Sequence, residues 1–175
     1  IASYTYPAEP EINAYFDEVF ARLGREGHIM IDTAASYGFT EEKLRQYFDS
    51  HPSQRAQAFI ATKWGERQVY DGSKGIAEQW KFQPDYSLDN LKKSVGESIG
   101  HLGRIDLLYL HMVGGATADV LRDKPVIDEM VRMKREKEGG IRTLGASISD
   151  PKVLEEAIKG NLLGPFDVIQ TSGEV

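Results

Sequence analysis

The chain has 175 residues, 41% hydrophobic and 27% charged, with 21 basic against 27 acidic side chains and a net charge of −6. That is the make-up of one soluble globular domain with a substantial core, and it offers no basic stripe for nucleic acid or an anionic membrane surface. There is no cysteine, so disulfides, zinc–thiolate sites and thiol nucleophiles are excluded. No apolar run reaches membrane-spanning length and no secretory signal is visible, so the expected setting is the cytoplasm.

In chain order, residues 1–6 read as the tail of a first strand, broken by Pro7 and Pro10. From Glu11, the spacing of Ile12, Tyr15, Phe16, Val19, Phe20 and Leu23 predicts a helix with one buried face, punctuated by Gly24 and Gly27. A short apolar run, 29–31, then stops at Asp32, and a turn delivers Tyr37. Thr40 is placed to cap the next helix, whose apolar face is Leu44, Tyr47 and Phe48, and Pro52 closes that unit. A second apolar run, 59–62, stops at Lys63.

Residues 64–86 break the rhythm with Gly65, Gly72, Gly75 and Pro84, and with the aromatics Trp64, Tyr70, Trp80, Phe82 and Tyr86. The segment reads either as the wall of a substrate pocket or as a surface excursion such as a short hairpin. Ser87 is placed to cap a helix with the face Leu88, Leu91, Val95, Ile99 and Leu102, stopped by Gly103. A third apolar run, 107–110, stops at His111. A helix follows from about Pro125; its basic run Arg132, Lys134, Arg135 and Lys137 compensates the carboxyl end of the dipole before Gly139 and Gly140. A strand at 143–147, a helix opened by Asp150 and Pro151 and ended by Gly160, and a last strand at 166–170 complete the chain.

About six short strands alternating with helices argue for a parallel α/β sheet. No Gly-x-Gly-x-x-Gly follows a strand and no phosphate loop of the Walker type is present, which favours a barrel over a doubly wound dinucleotide fold. In such a barrel, polar residues at the carboxyl ends of strands meet on one rim, where active sites sit. Asp32, Tyr37, Lys63 and His111 are therefore expected to surround one point.

Those four residue types make a coherent chemistry. An unperturbed phenol is a weak acid, and a neighbouring ammonium favours its ionised form. A carboxylate keeps the ammonium charged and aimed, and a histidine can donate a hydrogen bond to a carbonyl oxygen. Together they polarise a carbonyl and protonate it as negative charge develops. The missing element is a hydride donor, which a nicotinamide cofactor supplies. A lysine at a strand end would also suit a Schiff-base lyase, with Lys63 as nucleophile. His28, His51 and His101 lack this setting and read as structural.

The run Ile31-Asp32-Thr33-Ala34, Tyr37-Gly38, then Ala61-Thr62-Lys63, then Ile105-Asp106-Leu107-Leu108-Tyr109-Leu110-His111 resembles the aldo-keto reductase superfamily. The long segment after Lys63 is similar to its potassium-channel β-subunit and bacterial branches. The resemblance implies a (β/α)8 TIM barrel, with about six of the eight strands in this chain. It also implies NADPH as cofactor, with NADH as the alternative, and reversible reduction of a small-molecule aldehyde or ketone. In that scheme Tyr37 is the general acid, Asp32 and Lys63 tune it, and His111 orients the carbonyl. Ser147 and Gln170 match the family's carboxamide-binding positions, so the cofactor-binding set is Asp32, Ser147 and Gln170. No metal is implied.

Position 148 departs from the family pattern. The Ser-Asn pair is Ser147-Ile148 here, a loss of one hydrogen bond worth roughly 0.5–1.5 kcal/mol. Residues 1–175 are expected to form one reductase-like barrel domain, incomplete at both ends. Six barrel strands leave open edges, so the chain is expected to be the ordered part of a longer protein or to be completed by a second copy or a partner. A reductase-like module that binds without turnover is the remaining alternative.

Overall fold

A computed structural model of the protein describes residues 9–24, 27, 29–70 and 80–172. The strand expected over 1–6, and also His28, Gly72 and Gly75, lie outside the described residues. The chain runs α1 (Glu9–Leu23), β1 (Ile29–Asp32), α2 (Thr40–Ser50), α3 (Pro52–Gln57), β2 (Ala58–Trp64), β3 (Glu66–Tyr70) and β4 (Trp80–Pro84). It continues through α4 (Leu88–Leu102), β5 (Leu107–Met112), α5 (Asp119–Arg122), α6 (Lys124–Glu136), β6 (Thr143–Ile148), α7 (Pro151–Lys159) and β7 (Val168–Gln170).

Five strands form one parallel sheet in the order β1-β2-β5-β6-β7, and β3 pairs with β4 as a separate antiparallel hairpin. The sheet strands lie side by side in chain order with helical crossovers, which is the winding of a barrel rather than of a doubly wound sheet. The sheet is curled into a half-barrel. Five of the six expected parallel strands are therefore in place.

Alternation along the strands separates two faces. One face carries Ile29, Ile60, Leu108, Leu110, Leu144, Ala146 and Ile148, which pack with Leu44, Tyr47, Leu91, Val95, Val126 and Met130 from the helices. Each such aliphatic side chain contributes roughly 1.5–3 kcal/mol by leaving water, so this layer dominates the stability. The other, concave face carries a smaller cluster of Ala61, Leu107 and Tyr109, flanked by Phe59 and Val168. Lys63, His111 and Gln170 stand two residues beyond Ala61, Tyr109 and Val168 and share that face. Asp32 and Ser147 join them, because Asp32 is in register with Ala61 and Ser147 with His111.

Several boundaries differ from expectation for identifiable reasons. Thr40 is the first residue of α2 rather than its cap, and its hydroxyl donates to the Tyr37 carbonyl at 2.7 Å. Pro52 opens α3 instead of closing α2, since proline suits the first helical position. On α1, Phe16, Val19 and Phe20 pack on the core while Tyr15 and Leu23 are exposed. The helix α6 ends at Glu136, and Lys137 takes the left-handed conformation ahead of a 3₁₀ turn over Glu138–Gly140. Of its basic residues, Arg132 is ion-paired with Glu129 and Glu138, and Lys134 with Asp167. The strand β7 is shorter than 166–170, because Asp167 turns its carboxylate onto the Leu144 amide at 3.0 Å. Ser87 and Asp150 cap α4 and α7 as expected.

Candidate active site

Each predicted site residue is delivered by the end of a strand or the turn after it. Lys63 is buried on β2, at 4% exposure, and its Nζ pairs with Asp32 Oδ1 and donates to the Thr33 carbonyl at 3.0 Å. A buried ammonium needs such partners, since breaking a buried pair costs about 3–5 kcal/mol. The same Nζ lies 5.3 Å from the centre of the Tyr37 ring and 5.7 Å from that of Tyr109. Tyr37 is held in a turn by its amide, which donates to the Ala34 carbonyl at 2.9 Å, and its ring is half-exposed. The His111 ring meets the Tyr37 ring edge-on, with centres 6.2 Å apart. The structure thus brings Asp32, Tyr37, Lys63 and His111 together.

Ser147 and Gln170 extend the same group. Ser147 Oγ donates to Gln170 Oε1 at 2.9 Å, and Gln170 Nε2 donates to Asp32 Oδ2 at 2.9 Å. A hydroxyl beside a side-chain amide offers both a donor and an acceptor, which is the donor set a planar carboxamide requires. The residues present therefore fit a nicotinamide. Ile148 does not belong to this group: it is 1% exposed and packs in the large cluster between sheet and helices. With this register, a side chain at 148 points away from the concave face.

Three residues of the site were not singled out as site residues from the sequence. Glu66, the first residue of β3, places Oε2 3.3 Å from His111 Nδ1 and accepts from Ser36 Oγ at 2.9 Å. The His111 contact holds the Glu66 carboxyl below its ordinary range; burial opposes this, and Ser36 adds to it. Tyr86, following the hairpin, donates to the His111 carbonyl at 3.1 Å and accepts from the Val113 amide at 3.1 Å. Burial, ahead of its other influences, pushes the Tyr86 hydroxyl up. Tyr109 lines the concave face, and its hydroxyl is pushed up by burial and then by the Asp32 charge. Tyr86 is one of the aromatics that the sequence offers as a pocket wall, whereas the only cue to Glu66 is its position at the start of the irregular segment after Lys63.

Within that segment β3 and β4 pair as a hairpin, the second of the two readings of 64–86, and its base packs beside His111. The approach is close at Gly65, whose φ is +124° and where a Cβ would sit 2.8 Å from both the His111 carbonyl oxygen and the Tyr86 ring. Trp64 is buried and packs edge-on against Tyr86, while Phe82 is exposed; the side chains of Tyr70 and Trp80 are not described. His51 stacks on Tyr47, and His101 sits on α4, both remote from the rim residues. Two open surface clefts, one beside Gly24 and Gln57 and one beside Arg55 and Gly103, adjoin loops that precede strands, on the opposite face. Among the described residues no group of three His, Asp or Glu side chains is placed to hold a metal ion, and no helix is long and apolar enough to cross a membrane.

The comparisons agree with this architecture. A protein designated an aldo-keto reductase from Pseudomonas aeruginosa is 26% identical, with a TM-score of 0.70, over 95% of this chain and 57% of its own. The glycerol dehydrogenase AKR11B4 from Gluconobacter oxydans is 26% identical with a TM-score of 0.59, over 81% of this chain and 40% of its own. Another solved structure from Pseudomonas aeruginosa, that of PA4992, shares the fold at 24% identity and a TM-score of 0.62, over 94% of this chain and 67% of its own. The chain thus spans about half the length of the first two structures. No curated protein matches the sequence. The model of the Aldo/keto reductase family matches residues 6–172, nearly the whole chain, and the chain belongs to that family.

Proposed function

We propose that this protein is a nicotinamide-dependent oxidoreductase that interconverts a small aldehyde or ketone and its alcohol, with NADPH as the cofactor. The observation that carries the reading is the buried Lys63 ammonium, paired with the Asp32 carboxylate and 5.3 Å from the centre of the Tyr37 ring, which the His111 ring meets edge-on. Bound nicotinamide would supply a hydride. Ser147 and Gln170 would hold its carboxamide, and Asp32, bonded to Gln170, ties that hold to the lysine. On the protein side, Tyr37 gives a proton from its hydroxyl to the carbonyl oxygen, and Lys63 stabilises the negative charge left on the phenol. His111 orients the oxygen by a hydrogen bond, and the half-exposed Tyr37 ring puts this chemistry where a small molecule can reach it. Family membership supports the reading, and so does the glycerol dehydrogenase among the similar structures.

The Schiff-base alternative is disfavoured by the same geometry. An amine that forms an imine must lose its proton, whereas Lys63 is paired with a carboxylate and bonded to a backbone carbonyl.

The test is turnover. The protein should oxidise NADPH in the presence of an aromatic aldehyde, and Tyr37→Phe should lose most of kcat while binding NADPH nearly unchanged, because the hydroxyl acts chiefly in the transition state. A Tyr37→Phe enzyme with a near-normal rate would remove Tyr37 from the role of acid.

A further inference from the structure

The reading above uses His111 as a hydrogen-bond donor without saying which ring nitrogen donates, or in which protonation state. An imidazole has two nitrogens, and the neutral ring carries a proton on only one of them. Which one is set by the partner of the other nitrogen. Here Nδ1 faces Glu66 Oε2 at 3.3 Å. A carboxylate can only accept, so the proton belongs on Nδ1.

Three further observations make Glu66 a held partner and not a passing neighbour. Its side chain is 14% exposed and that of His111 11%. The Ser36 hydroxyl donates to the same Oε2 at 2.9 Å, which fixes the carboxylate from the turn that carries Tyr37. The backbone around the pair is also pinned: Tyr86 bonds the His111 carbonyl, and the Gly65 amide unit is packed against that carbonyl and the Tyr86 ring. The carboxyl of Glu66 lies below its ordinary range, chiefly through the His111 contact, so it is ionised at neutral pH.

We propose that Glu66 is a positioning residue for the reaction: it holds His111 with Nδ1–H toward the hairpin, leaving Nε2 as the nitrogen that meets the substrate. The inference rests on the reductase reading for the identity of that substrate, a carbonyl compound or its alcohol. Its chemical consequence is specific. With Nδ1 protonated, Nε2 of the neutral ring has a lone pair and accepts, as it would from the hydroxyl of an alcohol. It donates to a carbonyl oxygen only when the ring is the imidazolium. Among the described residues, the charged and titratable groups around the ring are Glu66 from β3, Tyr37 from the turn with Lys63 of β2 near its ring, and the Tyr86 hydroxyl on the backbone; Glu66 is the anion in direct contact with it.

The experiment is nitrogen-15 NMR of the histidine-labelled protein, above the pH at which the ring titrates, with a His111→Asn variant to assign the signal among the four histidines. The wild-type His111 ring is expected as the Nδ1–H tautomer. Glu66→Ala should release it to the Nε2–H form, whereas Glu66→Gln, whose amide oxygen still accepts, should retain Nδ1–H. In turnover, Glu66→Ala should lower kcat/KM for aldehyde reduction on the order of tenfold to a hundredfold while NADPH affinity is unchanged. Glu66→Gln, whose amide oxygen still accepts from Nδ1–H, should retain more of that kcat/KM than Glu66→Ala. An Nε2–H ring in the wild-type protein, or the same tautomer in wild type and Glu66→Ala, would overturn the proposal. The NMR readout needs no turnover, so it decides the pairing even if no aldehyde proves to be a substrate; turnover alone decides the reductase reading.

Discussion

Gln170 Nε2 donates to Asp32 Oδ2 at 2.9 Å, although the two residues are 138 positions apart and lie on β7 and β1, the opposite edges of the five-stranded sheet. Only a strongly curled sheet lets its first and last strands touch through side chains. The contact joins the two halves of the site, because Asp32 also pairs with Lys63 and Gln170 also receives Ser147. The residues of the proposed proton chemistry and of the proposed carboxamide site are therefore joined in one hydrogen-bonded chain.

Replacing Gln170 with Ala should weaken NADPH binding by about 1–2 kcal/mol, in the range of a lost hydrogen bond from a partly buried amide. It should also lower kcat modestly, since Asp32 loses a partner that orients it toward Lys63. Titration of tryptophan fluorescence with NADPH measures the first effect. Unchanged affinity would move the nicotinamide away from Ser147 and Gln170.

Lys63 should not form an imine. Borohydride treatment in the presence of an aldehyde or ketone should leave the mass of the Lys63 peptide unchanged, because its ammonium is held by Asp32 and the Thr33 carbonyl. A stable adduct at Lys63 would support the lyase reading instead.

Asparagine at position 148 would restore the family's residue pair, but the structure turns that side chain into the layer between sheet and helices. Ile148→Asn exchanges a fully buried aliphatic group for an amide among Leu144, Ala146 and the helix side chains. The expected cost is roughly 2–4 kcal/mol of stability, seen as a lower Tm, with no gain in NADPH affinity. Tighter binding at an unchanged Tm would show that the side chain reaches the concave face after all.

Glu41 is a buried carboxyl on α2, set between sheet and helices with Thr62 Oγ1 donating at 2.5 Å and Ser98 Oγ at 2.9 Å. Burial raises it above its ordinary value of 4.5, and the two hydroxyls only partly offset this. The folded form therefore holds the proton more tightly than the unfolded chain. Stability from this group is fully present below pH 4.5 and is lost as pH rises from there through the folded value. Glu41→Gln should flatten that part of the stability profile and leave the protein more stable than wild type at neutral pH. Urea denaturation at a series of pH values checks it; a variant less stable at every pH would show that the hydroxyls more than repay the burial of the charge.

The strand ends are legible in the residues alone. Short apolar runs that stop at Asp32, Lys63 and His111 are a local signal, and period-two alternation sends Lys63, His111, Ser147 and Gln170 to one face once the strands are parallel. The helix caps at Ser87 and Asp150 were legible for the same reason, since a hydroxyl or carboxylate acts within three residues of itself. The rest depends on chain segments that are far apart in sequence and meet only in the fold. The pairing register and curl of the sheet brought Gln170 to Asp32 and turned Ile148 outward, and no local pattern encodes either. Glu66 looked like one charged residue in an irregular segment. Its place against His111 comes from the hairpin folding back beside Gly65, where the absence of a Cβ lets two backbones approach more closely than any other residue would permit.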